Sequence, residues 1–311
     1  MAKIIGPGSV IVDVTGFAPH LPVAGETVKG STLRFGPGGK GSNQMTAAHR
    51  AGSTVQIISR RGDDVLGQIL KKHYETEGMS EKYVVVDPAA ETASALIEID
   101  ESDAQNRIIV ILAANEQVVR ESVFAAEEDF KDADAVLTQF ETTTEAVFAA
   151  KELAHKYGKP FILNPAPFVL VPAEIFDGVD YVTPNETEAE QFTGIKVDTV
   201  EDCRLAAKKF FEMGVRNVVI TLGVCGAFFT DGEREILVPS IKVKAVETTG
   251  AGDAFNGGLA TAIAEGLPME TALQFATCTA AISVTRFGSS PSMPYRHEIV
   301  ALMEKEFGTT L

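Results

Sequence analysis

A chain of 311 residues that is 45% hydrophobic carries enough apolar side chains for a large core, which excludes a disordered protein. Its 43 acidic residues against 27 basic ones leave a formal net charge of −16, so no general attraction to nucleic acid or to an anionic membrane is expected. A phosphate site in such a chain has to be assembled locally, from backbone amides, a few cations and a metal.

The length fits one to two domains. Cys203, Cys225 and Cys278 lie far apart and form no C-x-x-C. That spacing gives neither a zinc knuckle nor a disulfide framework, and reduced thiols fit a cytoplasmic protein. The apolar N-terminal run is broken by Gly6, Pro7 and Gly8. It is too short for a signal peptide or a membrane span.

Residues 3–12 predict a buried first strand that bends at its glycines, with Asp13 at its end as a turn residue or a ligand group. Residues 14–35 lack helix signals and predict short strands or a loop excursion. Gly36-Pro37-Gly38-Gly39-Lys40-Gly41-Ser42-Asn43-Gln44 then runs into a helix bearing Met45, Ala47, Ala48 and Ala51. The glycines fit G-x-G-x-x-G, with Asp63 and Asp64 about twenty residues on, the pattern of a dinucleotide-binding turn. They fall, however, after a long excursion and not in the first strand–helix turn. Nor is this a Walker A loop, because no Gly lies five positions before Gly39 and no Ser or Thr follows Lys40. The physical content is a backbone that a ligand can touch, with donors from Lys40 and Asn43, which suits a polyol.

Residues 55–60 predict a strand, 64–77 a helix and 83–86 a strand. Residues 92–112 alternate around an acidic turn, a hairpin signal, and with 14–35 they predict a small sheet apart from the main core. Strands at 135–138, 161–164, 181–184 and 217–221 then alternate with helices at 144–157, 186–193 and 201–213, before a turn and hairpin at 223–229. Repeated βα units define a mostly parallel sheet with helices on both faces. Ligands of such sheets bind beyond the carboxyl ends of the strands. Asp13, Glu141, Asn164, Asn185 and Gly223 each follow an apolar strand and are expected along one edge. Each alone also serves as a turn residue or cap.

Thr248-Thr249-Gly250-Ala251-Gly252-Asp253-Ala254-Phe255-Asn256-Gly257-Gly258 joins that edge. Phe255, Leu259, Ala262 and Ile263 recur at helical spacing after it. A glycine-rich turn opening a helix gathers unpaired N–H groups and the positive end of the helix dipole, which suits phosphate. Asp253 repels a phosphate there unless it takes the proton of the group attacking that phosphate. The alternative is a residue that merely caps or charges the helix start.

Taken together these motifs resemble the ribokinase, or PfkB, family of carbohydrate kinases. Gly38-Gly39-Lys40-Gly41-Ser42-Asn43-Gln44 and Thr248-Thr249-Gly250-Ala251-Gly252-Asp253-Ala254-Phe255-Asn256-Gly257 bracket the resemblance. Between them lie Asn164-Pro165-Ala166-Pro167, Thr183-Pro184-Asn185-Glu186-Thr187-Glu188-Ala189-Glu190 and Thr221-Leu222-Gly223, and after them Val284-Thr285-Arg286-Phe287-Gly288. The resemblance covers nearly the whole chain, 1–311, as one α/β domain: a three-layer αβα fold whose β lid is inserted from about residues 14–36 and 92–112.

The resemblance implies transfer of the ATP γ-phosphoryl group to a sugar hydroxyl, with ATP, Mg2+ and K+ taking part. Asp253 is implied as the base and Gly250, Ala251 and Gly252 as the anion hole. The implied sugar face is Ile11, Asp13, Gly39, Lys40, Asn43 and Glu141. Asn185, Thr221, Gly223, Gly252 and Thr277 are implied for the nucleotide, and Glu188 for the magnesium region. Glu247, Thr249, Ser283, Arg286, Gly288 and Ser292 match the potassium positions, several through carbonyls. The lid is implied as a homodimer interface. Two positions depart from the family pattern. Where its ribose kinases carry Asn this chain has Ile11, as the deoxyribose kinases have an apolar residue, and Glu247 replaces a usual Asp. A nucleoside or fructose-phosphate kinase and a non-catalytic sugar or nucleotide sensor are the competing readings.

Overall fold

The computed structural model describes residues 1–103 and 105–311. Ala104, in the acidic turn expected between the lid strands, lies outside them. Nine strands form the main sheet, in the order β13-β12-β11-β10-β9-β8-β1-β4-β5. These are β1 (Lys3–Pro7), β4 (Thr54–Gly62), β5 (Ser80–Asp87), β8 (Ala135–Thr138), β9 (Phe161–Leu163), β10 (Tyr181–Val182), β11 (Asn217–Thr221), β12 (Ala227–Thr230) and β13 (Glu235–Val238). Pairing is parallel from β5 to β11 and antiparallel in the β11-β12-β13 edge. The central strands read as near-continuous apolar runs, Ala-Val-Leu-Thr in β8 and Phe-Ile-Leu in β9, because both faces are covered.

A second sheet of four strands, in the order β3-β2-β6-β7, forms the lid. It holds β2 (Ile11–Ala18), β3 (Thr32–Gly38), β6 (Ser94–Asp100) and β7 (Asn106–Ile111). Here the expected single strand over residues 3–12 is corrected. Gly8, Ser9 and Val10 separate β1 from β2, and the chain passes from one sheet to the other across them. Asp13 is therefore no residue at the edge of the main sheet. It sits inside β2, paired with Gly36 of β3 and Ala95 of β6. The lid also begins earlier than residue 14, at Ile11.

Helices α1 (Lys40–Arg50), α2 (Val65–Glu77), α5 (Thr144–Lys156), α6 (Glu186–Thr193), α7 (Val200–Glu212) and α8 (Ala251–Ala264) match expectation. Two short helices, α3 (Arg120–Phe124) and α4 (Glu127–Asp132), and two long ones, α9 (Met269–Ser283) and α10 (Arg296–Phe307), were not anticipated. Helix α9 is nearly all apolar or small, Ala, Thr, Leu and Phe, so it lacks a two-sided pattern; it packs deep against α8 and α10. Helices α1 and α8 approach each other closely. A Cβ on Gly257 lies 2.4 Å from the carbonyl oxygen of Gln44, so only glycine allows this contact. The approach carries the start of α1 to the start of α8.

Candidate active site

Helix α8 starts on Gly250, whose φ of 80° is left-handed and whose helix carries no side-chain cap. Glycine adopts that conformation without a Cβ clash. The amide of Ala251 donates to the carbonyl of Thr248 at 3.2 Å. The amides of Gly252 and Asp253 have no protein partner among the described residues. A Cβ built on Gly252 meets nothing within 4 Å, so this side of the turn is open space.

That space is a cleft of about 140 Å³. Lys40, Asn164, Asn185, Glu188, Thr221 and Asp253 line it together with the Gly250–Gly252 turn. Lys40 is the one cation among its lining residues. Its ammonium lies among carboxylates: burial, the strongest influence, favours the neutral amine, yet Asp253, Glu141 and Glu188 together outweigh it and raise its pKa. Lys40 was expected on the sugar face, and it also reaches the phosphate end of the cleft.

Asp253 is buried, 5% exposed. Asn43 Nδ2 donates to its Oδ2 at 2.9 Å and Gln44 Nε2 to its Oδ1 at 3.0 Å. Asn43 is thus occupied on both sides, because its Oδ1 accepts from the Ser290 hydroxyl at 2.6 Å. The second Nδ2 hydrogen is used in neither bond, so Asn43 keeps a donor for the sugar face on which it was expected.

Asp13 reaches the body through Ser289, whose hydroxyl donates to Oδ2 at 2.8 Å. Burial pushes the Asp13 carboxyl from its ordinary 3.8 up to about 6, opposed by that hydroxyl and aided by repulsion from Glu141, Glu247 and Asp253. Burial also raises Glu141, against the attraction of Lys40. Glu141 accepts from the Ser9 hydroxyl at 2.7 Å and from the Lys40 amide at 2.8 Å. Ile11 is buried in a small apolar cluster with Ala93 and Ala95, and its side chain abuts Gly39.

Asn185 and Glu188 face the cleft but form a capping box on α6. Asn185 Oδ1 accepts from the Glu188 amide at 2.8 Å, and Glu188 Oε2 accepts from the Asn185 amide at 2.9 Å. Burial raises the Glu188 carboxyl. Thr221 pairs by a bridge with Asn185, and Gly223 opens the turn beyond it. Thr277, in α9, is buried with its hydroxyl oxygen unpaired.

Of the positions expected for potassium, Glu247 and Gly288 touch directly. The Gly288 amide donates to Glu247 Oε2 at 2.9 Å, and the Val246 and Glu247 amides donate to the Val284 carbonyl. The Ser283 carbonyl is already taken by the Arg286 amide, and the Arg286 guanidinium is paired with Glu298. Ser292 Oγ donates to the Ser289 carbonyl. Thr249 lies in the same turn as Gly250.

Gln44, Ser9, Ser289 and Ser290 were not singled out from the sequence. Gln44 adjoins Asn43 in the quoted motif, Ser289 and Ser290 directly follow the Val284-Thr285-Arg286-Phe287-Gly288 motif, and Ser9 follows Gly8 at the end of the first strand, so proximity was the only signal.

A doubly covered α/β sheet with a β lid, and a buried carboxylate at an open glycine-rich helix start, define a kinase of small hydroxylated substrates. The family model for pfkB family carbohydrate kinases matches residues 1–296, and the chain belongs to that family. It is 35% identical to a ribokinase of Haemophilus influenzae over 297 residues, covering 96% of this chain and 97% of that protein. It is 34% identical to a deoxyribokinase of Salmonella typhi, covering 92% of this chain and 94% of that one. The structure of Arabidopsis thaliana ribokinase complexed with ribose and ATP superposes with a TM-score of 0.92 at 31% identity, over 98% of this chain and 99% of that chain.

Proposed function

We propose that this carbohydrate kinase transfers the γ-phosphoryl group of ATP to the 5-hydroxyl of a pentose, ribose or 2-deoxyribose. The observation that carries the reading is Asp253 beside the unpaired amides that open α8. The substrate hydroxyl oxygen attacks phosphorus as its proton passes to Asp253, and the bond to the leaving ADP breaks. Proton removal by such a base is worth about 10²–10⁴ in rate. The amides of Gly250 and Gly252, with Lys40, stabilise charge on the transferring group, joined by Ala251 where its amide turns from the Thr248 carbonyl to the phosphate.

Asp13 and Glu141 accept from sugar hydroxyls, Gly39 supplies the close backbone approach, and Ile11 leaves one side of the pocket apolar. A hydroxyl buried there without a partner costs about 1–3 kcal/mol, which favours a sugar lacking one. The nucleotide lies along Asn185, Thr221, Gly223 and Thr277, whose unpaired buried hydroxyl fits a ligand contact. Glu188 keeps one carboxylate oxygen outside its capping bond and would hold Mg2+ there, whose charge would offset that of the phosphates. Glu247 likewise has one oxygen outside its bond to Gly288. With Thr249, Gly288 and Ser292 it fits K+ beside the anion hole.

The lid also supports a homodimer, since Ile108, Ile109, Val110 and Ile111 of β7 are all exposed. Sedimentation at twice the monomer mass checks this.

The function is tested by ATP turnover over a panel of pentoses, hexoses and nucleosides, with Asp253→Asn as control. Ribose or 2-deoxyribose is expected to stimulate turnover most. Asp253→Asn is expected to lose about 10²–10⁴ in kcat while still binding ATP. Near-normal turnover in that variant rejects Asp253 as the base.

A further inference from the structure

The chain of amides behind Asp253 has a fixed direction. Asn164 Nδ2 faces the backbone carbonyl of Thr183 at 2.9 Å, and a carbonyl can only accept. Asn164 therefore turns its Oδ1 toward Gln44. Gln44 Nε2 donates to that oxygen at 3.0 Å and, with its second hydrogen, to Asp253 Oδ1 at 3.0 Å. On the other carboxylate oxygen, Asn43 Nδ2 donates at 2.9 Å, and its Oδ1 accepts from the Ser290 hydroxyl. Both amides therefore turn an N–H toward the acid.

The arrangement has a local cost. Gln44 Oε1 is buried with no hydrogen-bond partner, where buried polar atoms are normally paired. Turning the amide over leaves the loss in place and sets Oε1 against two acceptor oxygens. The amide is thus held in the orientation that serves Asp253.

We propose that Gln44 is a positioning residue for the phosphoryl transfer, one jaw of a two-amide clamp that fixes which lone pair of Asp253 meets the substrate hydroxyl. The inference rests on Asp253 as the base. Removing one donor therefore lowers kcat while leaving the KM values for sugar and ATP in place, a split that a purely structural glutamine does not give.

The test measures kcat, KM and the melting point for Gln44→Leu, Gln44→Glu and Asp253→Asn. Gln44→Leu is expected to lower kcat about ten- to a hundredfold, with the KM values for sugar and ATP within about twofold of the parent. Gln44→Glu keeps the shape of the side chain and replaces the donor facing Asp253 with an acceptor, so its kcat is expected to fall at least as far at unchanged KM. It also decides the matter alone if Gln44→Leu does not fold. Folded Gln44 variants whose kcat stays within about threefold of the parent, with Asp253→Asn inactive, overturn the clamp and leave the base intact. An active Asp253→Asn overturns the base assignment and the clamp with it.

Discussion

Helices α1 and α8 begin alike and end up with opposite roles. Each starts on a left-handed glycine, Gly39 at φ 88° and Gly250 at φ 80°, and neither has a side-chain cap. At α1 the protein fills its own helix start. The Lys40 amide donates to Glu141, the Gly41 amide to Ser9 Oγ at 3.2 Å, and the Ser42 amide to the Ser9 carbonyl at 2.8 Å. At α8 the amides of Gly252 and Asp253 have no partner among the described residues. A helix start neutralised by an internal carboxylate has no use for a pyrophosphate, which removes the dinucleotide reading of Gly36–Gly41 on physical grounds. The open one has the donors that suit an anion. A glycine pattern therefore says where backbone is available, and the residue across from it says to what.

The comparison breaks most directly by closing α8. Gly252→Glu places a carboxylate where Glu141 stands at α1, and the open space around Gly252 admits it. Turnover is expected to fall by roughly 10²–10³ with sugar binding kept, as measured by kinetics and calorimetry together. Turnover within tenfold of the parent ends the claim that α8 is the anion site.

A tenfold effect is expected from acid. Asp13 is raised from 3.8 to about 6, so the folded protein protonates it before the unfolded chain does. Between about 6 and 3.8 the folded state holds the extra proton, and this group's contribution to stability increases as pH falls. Its charge-assisted acceptance from a sugar hydroxyl is lost over the same range. The sugar KM is expected to rise about tenfold per pH unit below 6 with ATP KM little changed. A sugar KM flat between pH 7 and 5 removes Asp13 from the binding face.

The smallest effect comes from opening α1. Glu141→Ala leaves the Lys40 amide and the Ser9 hydroxyl unpaired, a cost of about 1–3 kcal/mol. Calorimetric melting is expected to shift down accordingly. An unchanged melting point means Glu141 is held there for the sugar alone.

Much of this was legible in the sequence because it is local. The start of α8, the strands β8 and β11 and helix α6 follow from runs of a few residues each. The passage between sheets was not, because Gly6, Pro7 and Gly8 read equally as a bend within one strand, and only pairing partners separate β1 from β2. Asn43 and Gln44 show a polar pair at a helix start, but that both face Asp253 depends on α1 lying against α8. Helix α9 was missed since burial on all sides erases the periodicity that marks a helix. Asn185 and Glu188 carry a capping signature and a cleft-lining position at once, and sequence alone cannot separate the two uses.

The crossing at Gly8, Ser9 and Val10 divides the labour of the site. Asp13 belongs to the four-stranded sheet and Asp253 to the helix layer on the nine-stranded one. A sugar long enough to reach both ties the two sheets together through its own hydroxyls. A lone water molecule reaches only one of them. On the proposed reading an acceptor would have to span both groups to be phosphorylated, a length test that solvent, though present at far higher concentration, would fail.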